Sequence, residues 1–161
     1  MRNRVTVLTL AVAGAFSVVL GQPSTSSADS EPAQDSRAVD VLNRFMFALL
    51  IADEEQSAKE AKKYVHKSLL NNEGTDLSPD LRRFSFKKAR DGAKFYQVPV
   101  KVTRIRATSI TAIGFKQTAE LGSVIDYFIA KKSGVNGLPA PVKIFFPKSG
   151  GHPTISYIGS I

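Results

Sequence analysis

The 161-residue chain has no cysteine and no tryptophan. The missing cysteines exclude disulfides, thiolate metal sites, iron–sulfur clusters and a cysteine nucleophile. Its two histidines, His66 and His152, stand 86 positions apart, so no local spacing offers a histidine-based metal site, and neither a metal nor a cofactor is expected. H-E-x-x-H, G-x-S-x-G, Walker and dinucleotide-binding glycine patterns are absent. Lys148-Ser149-Gly150-Gly151 lacks the frame of a phosphate loop and reads as a hairpin turn. Acidic residues are scarce after Gly92, where only Glu120 and Asp126 face nine Lys and Arg, a net +7 against −1 for Asp29 to Gly92. An apolar fraction of 43% with 22% charged residues excludes a disordered, collagen-like or multi-span membrane chain.

Arg2 and Arg4 precede an uncharged apolar run, Val5 to Gly21, and then small polar residues. This is the three-part pattern of a secretory signal, with Ser26-Ser27-Ala28 as the expected cleavage site and Val19-Leu20-Gly21 as a second. The competing reading is a retained membrane anchor. Residues 1–28 are therefore expected to be a signal peptide, 29–35 a disordered tether, and 36–161 a single domain. The protein is expected to be exported, periplasmic or secreted, and bacterial, because animal secreted domains of this size more often carry disulfides.

Val39, Leu42, Met46 and Leu49 recur at helical spacing, and Phe45 to Ile51 are apolar without interruption, so the first helix is expected to be enclosed by a curling sheet. Asp53 with Gln56 and Ser57 with Glu60 both fit a capping box, opening a second helix expected to run to about Leu70. Ser78-Pro79 opens a short third turn to about Arg83. From Phe84 the period becomes two. Strands are expected over 95–106, 110–115, 117–121, 123–131, 142–146 and 154–161, the last with Ile155, Tyr157 and Ile161 on its buried face. The fold class is α+β: two or three N-terminal helices packed on a strongly bent antiparallel sheet of four to six strands.

The run Phe45-Met46-Phe47-Ala48-Leu49-Leu50-Ile51-Ala52-Asp53, with the capped helix ending Tyr64-Val65-His66-Lys67-Ser68-Leu69-Leu70, resembles the opening of nuclear transport factor 2-like domains. The resemblance implies a cone-shaped sheet wrapped around the first helix, and a homodimer through the open sheet face. That superfamily holds both enzymes and binding domains, so function must be argued from the site.

Asp126, within Val124 to Ile129, is the first candidate for a catalytic base, since burial would raise its pKa. The reading preferred for it is an ion pair with Arg104 or Arg106 across the sheet. Tyr96, Tyr127, Tyr157 and His66 are the other groups a pocket could use, with His66 read as a helix-terminal imidazolium. Lys94, Lys101, Arg104, Arg106 and Lys116 are expected to form a basic stripe, on a strand face shared with Tyr96, Val98, Val100 and Val102. Its partner would be an anionic envelope component or a protein. Sparse aromatic interleaving argues against nucleic acid. The function expected first is a non-enzymatic exported binding domain. A small hydrophobic-ligand carrier or isomerase-like enzyme using Asp126 is the alternative, and a membrane-tethered secretion subunit, touching the membrane through Val5 to Gly21, is a third.

Overall fold

The computed structural model describes residues 34–114, 119–159 and 161. The expected signal segment, most of the tether and Lys116 lie outside them. Helix α1 spans Ser36–Leu49 and starts where the Asp35 carboxylate accepts a hydrogen bond from the Arg37 N–H at 2.8 Å. Helix α2 (Glu54–Ala61) is capped as expected by Asp53, which accepts from the Gln56 N–H at 2.7 Å. The second expected capping serine does something else. Ser57 is fully buried and donates its hydroxyl hydrogen bond to the Ala48 carbonyl at 2.8 Å, fastening α2 to α1.

Three helix expectations need correction. Helix α2 stops at Ala61, not near Leu70, because the backbone beyond it is claimed by the sheet: Ile155 N–H donates to the Tyr64 carbonyl and His66 N–H to the Ile155 carbonyl, at 2.8 and 2.7 Å. Only a 3-10 turn, Lys67–Leu69, follows. The third helical segment does not end at Arg83. A π-helical stretch, Leu81–Phe86, runs straight into α3, Lys87–Ala93, and places Phe86, Ala89 and Ala93 in the core at helical spacing. Nor is α1 wholly enclosed. Phe45, Met46 and Leu49 are buried, but Phe47 and Leu50 are 54% and 42% exposed.

Arg90 ties α3 to the α1–α2 junction by donating to the carbonyls of Ile51 and Ala52, each at 2.8 Å. The Asn43 side chain of α1 accepts from the Val100 N–H at 2.7 Å, next to the cis Val98–Pro99 bond.

The sheet is antiparallel, in the order β1 (Val102–Ile113), β2 (Glu120–Ile129), β3 (Ala140–Pro147), β4 (Thr154–Tyr157). Val65 adds one parallel rung against Ile155 beyond β4. Residues 95–101 are not strand as expected; Tyr96 bridges Lys131 and sits in the core. Bulges between Val102 and Arg104 and between Ala107 and Ser109 interrupt β1, and such bulges bend a strand and raise its twist. A third irregularity, between Lys143 and Ile144, puts Lys143 opposite Tyr157 but Ile144 opposite Ile155. That shift overturns the expected alternation of β4: Ile155 is buried and Tyr157 is 47% exposed.

One face of the sheet carries Ile105, Tyr127, Ile129, Val142, Ile144 and Ile155 into the core shared with the helices. The alternate residues of β2, Val124, Asp126 and Phe128, together with Phe145 of β3, are buried outside that core, on the other face. Gly122 belongs to this second face, where Phe145 lies over it: an added Cβ would meet the Phe145 ring at 2.6 Å and press on the Phe146 carbonyl oxygen. Gly122→Ala is accordingly expected to lower the unfolding free energy by about 1–3 kcal/mol, read from urea midpoints. An unchanged midpoint would mean that the ring does not rest on this glycine.

Candidate functional site

Strand pairing, not sequence proximity, assembles the second face. Across β1, β2 and β3, Arg106 lies opposite Asp126 and Asp126 opposite Lys143, while Arg104 lies opposite Phe128 and Phe128 opposite Pro141. Asp126 is completely buried. One carboxylate oxygen accepts from Arg106 Nε and Nη2 at 3.2 and 2.6 Å, and the other from Lys143 Nζ at 2.8 Å. Burial alone would push this carboxyl up, but the hydrogen bonds from Lys143 and then Arg106 outweigh it and hold the group below its ordinary value of 3.8. That direction is opposite to the one a general base built by burial requires. Asp126 also lines none of the three clefts described below.

The cations keep one side in water. The Arg106 side chain is 61% exposed and that of Lys143 is 35% exposed. The Arg104 guanidinium carbon stands 3.9 Å from the Phe128 ring centroid, a stacked cation–π contact, and among the described residues it makes neither a hydrogen bond nor an ion pair. Its five N–H donors are therefore unclaimed among the described residues. Beside it opens a cleft of about 320 Å³ lined by Thr103, Arg104, Phe128, Leu138 and Pro139. Two cations thus share one neutralising carboxylate and a third, Arg104, stacks on the neighbouring Phe128 ring, leaving a local charge of about +2 over an apolar floor. Such an array binds anions, most tightly those that also present an apolar or planar part.

The other expected residues fall elsewhere. Lys101 is exposed just before β1. Lys94 lies over the Phe95 ring at 5.2 Å, at the end of α3, so it does not join a strand stripe with Arg104. Tyr96 is buried in the core, and burial raises its phenol pKa. Lys143 and Phe128 are not singled out by the sequence, whereas Leu138 and Pro139 belong to the proline-stiffened loop 134–141, whose composition suits a pocket rim. The available signal was a lone lysine in one apolar strand and a lone aspartate in another, which only the strand register can match.

His66 is not the helix-terminal imidazolium expected, because α2 ends five residues before it. It is buried, caps the 3-10 turn, and meets the Phe145 ring edge-on at 4.9 Å. Burial pushes its pKa down, with Glu120 opposing. Ser68 Oγ lies 2.8 Å from Nδ1, and Glu120 lies 3.7 Å from Nε2. The serine–histidine–carboxylate order resembles a nucleophile relay, yet the geometry does not make one. The Nδ1 lone pair already accepts from the Ser68 N–H at 3.1 Å, Nε2 has no hydrogen-bond partner among the described residues, and Glu120 is engaged by Lys67 at 3.1 Å. The adjoining cleft, about 410 Å³, is lined by Lys67, Ser68 and the 70–74 turn with Gly114.

These two buried groups give stability two separate acid limbs. The unfolded chain protonates His66 near its ordinary 6.5, whereas the folded protein resists, so stability falls as pH drops below about 6.5 through the folded value. Asp126 contributes stability above its ordinary 3.8, lost as pH falls through its lower folded value. Denaturant midpoints measured across pH are expected to lose the upper limb in His66→Asn and the lower one in Asp126→Asn.

Compared with protein-family models, with curated proteins and with solved structures, the chain matches none. Among the described residues, no group of three or more histidine, aspartate or glutamate side chains is placed to hold a metal ion, and no helix is long and apolar enough to cross a membrane.

Proposed function

We propose that the protein is an exported, non-enzymatic binding domain of nuclear transport factor 2-like architecture that recognises an anionic envelope component through the basic face of its sheet. One observation carries this reading: Arg106 and Lys143 share a single buried carboxylate while Arg104 and Arg106 both lie over the Phe128 ring, leaving an excess of positive charge beside an apolar-floored cleft. The helix-first order and the antiparallel meander support the architecture, and the sequence pattern of residues 1–28 supports export. The carrier or enzyme reading draws less support, since Asp126 is held ionised by two cations.

The test is a titration with soluble poly(glycerol phosphate), followed through backbone amide resonances. Shifts centred on Arg104, Arg106, Phe128 and Lys143 are expected. Shifts confined to α2 or to the 70–74 turn would refute the assignment.

A further inference from the structure

The helical segment from Pro79 to Ala93 and the turn after it present a second basic surface, independent of the sheet. Its inner side is spent on the core through Phe86, Ala89 and Ala93. Its outer side repeats at three- to four-residue spacing and shows Arg83 with Phe84, Lys87 with Lys88, Asp91, and Lys94 with Phe95, all exposed. Two features of this ridge are unlike an ordinary solvated helix. Phe84 is 63% exposed and Phe95 45%, one near each end of the ridge. Each ring also carries its own cation, Arg83 at 5.3 Å and Lys94 at 5.2 Å.

The charge on the ridge is uncommitted. Arg82 and Arg90, on its flanks, are paired with Glu55 and Asp76 and with Glu54. Arg83, Lys87, Lys88 and Lys94 form no ion pair among the described residues, so the exposed side carries four free cations against Asp80 and Asp91.

We infer that this ridge docks the domain on the surface of a bilayer carrying anionic headgroups. The ridge lines none of the clefts above, so it suits a plane better than a small ligand, which needs a concave site. Phenylalanine has no polar tip, and a planar apolar layer removes both separated rings from water at once. The lysines and arginine extend their heads to phosphates while their stems lie along the same layer. Attraction to anionic lipid grows by a comparable step for each Lys or Arg near the surface, and it weakens with salt.

The chain lacks tryptophan, so Phe84→Trp and Phe95→Trp each give a single reporter at a site already exposed. The full chain carrying either reporter is mixed with phosphatidylcholine vesicles, with and without phosphatidylglycerol. A blue shift of emission is expected only with phosphatidylglycerol, and it should shrink at high salt. Lys87→Glu with Lys88→Glu should lower vesicle partition at least about tenfold, while the charge-matched pair Lys132→Glu with Lys148→Glu, exposed and away from the ridge, lowers it far less. Co-sedimentation without a blue shift would overturn the inference, because attachment would then run through another segment such as Val5 to Gly21. An equal shift on both vesicle types would overturn the anionic requirement. A loss caused by Arg104→Glu but not by Lys87→Glu with Lys88→Glu would transfer lipid binding to the sheet face, refuting the ridge while leaving the proposed function standing.

Discussion

Phe45→Ala is expected to lower the unfolding free energy by about 3–5 kcal/mol, whereas Phe47→Ala, two residues further along the same helix, should change it by less than about 1 kcal/mol. Phe45 is completely buried in the core cluster that helices and sheet share, so truncation removes its transfer energy and leaves a cavity that a close-packed interior fills only in part. Phe47 is more than half exposed, at the edge of a shallow cleft of about 270 Å³ with Arg44, Ile51 and Tyr64. Paired chemical denaturation of the two variants separates these environments. Equal losses would mean that α1 is enclosed on every side, as its sequence suggests.

That contrast marks where sequence reasoning stops. Local chemistry was legible: Asp53 caps α2, Ser78 accepts from the Leu81 N–H to start the next helical segment, and two-residue alternation announces the sheet. What depends on distant partners was not. Lys62, Lys63 and Tyr64 continue a helical pattern, yet α2 ends because Ile155 takes the backbone of Tyr64 and His66. The 3.6-residue spacing of Phe86, Ala89 and Ala93 was present in the sequence, but it was masked by the change of period read from Phe84. At the site, an Asp126–Arg106 pair was foreseeable from composition, since acids are rare there. Lys143 was not, because nothing in either strand states that position 126 stands opposite 143. Tyr157 faces away from Ile155 for the same kind of reason: a single register shift, invisible locally, reverses the face.

Arg104→Glu is expected to weaken binding of poly(glycerol phosphate) by about tenfold to a hundredfold with little loss of stability, and adding Lys101→Glu should weaken it further. Arg104 bonds to no carboxylate among the described residues, and both side chains are exposed, so reversal reshapes the potential without stranding a buried charge. Arg106 is a poorer choice for reversal. A glutamate there would face the buried Asp126 carboxylate and destabilise the sheet, confusing lost binding with lost fold. Arg106→Gln avoids the repulsion, leaves Lys143 to hold Asp126, and is expected to weaken binding less than Arg104→Glu does. Far-ultraviolet circular dichroism on each variant verifies that the comparison concerns binding.

The central claim, that the cluster of Arg104, Arg106 and Lys143, neutralised only in part by Asp126, captures an anionic polymer, is tested most directly by the salt dependence of that binding. The logarithm of the poly(glycerol phosphate) association constant should fall linearly with the logarithm of salt concentration, with a slope of about −2 to −3 for three engaged cations. In Arg104→Glu the slope should shrink by about one or more. A slope near zero, or one that Arg104→Glu leaves unaltered, would contradict the claim and remove the sheet face as the binding surface.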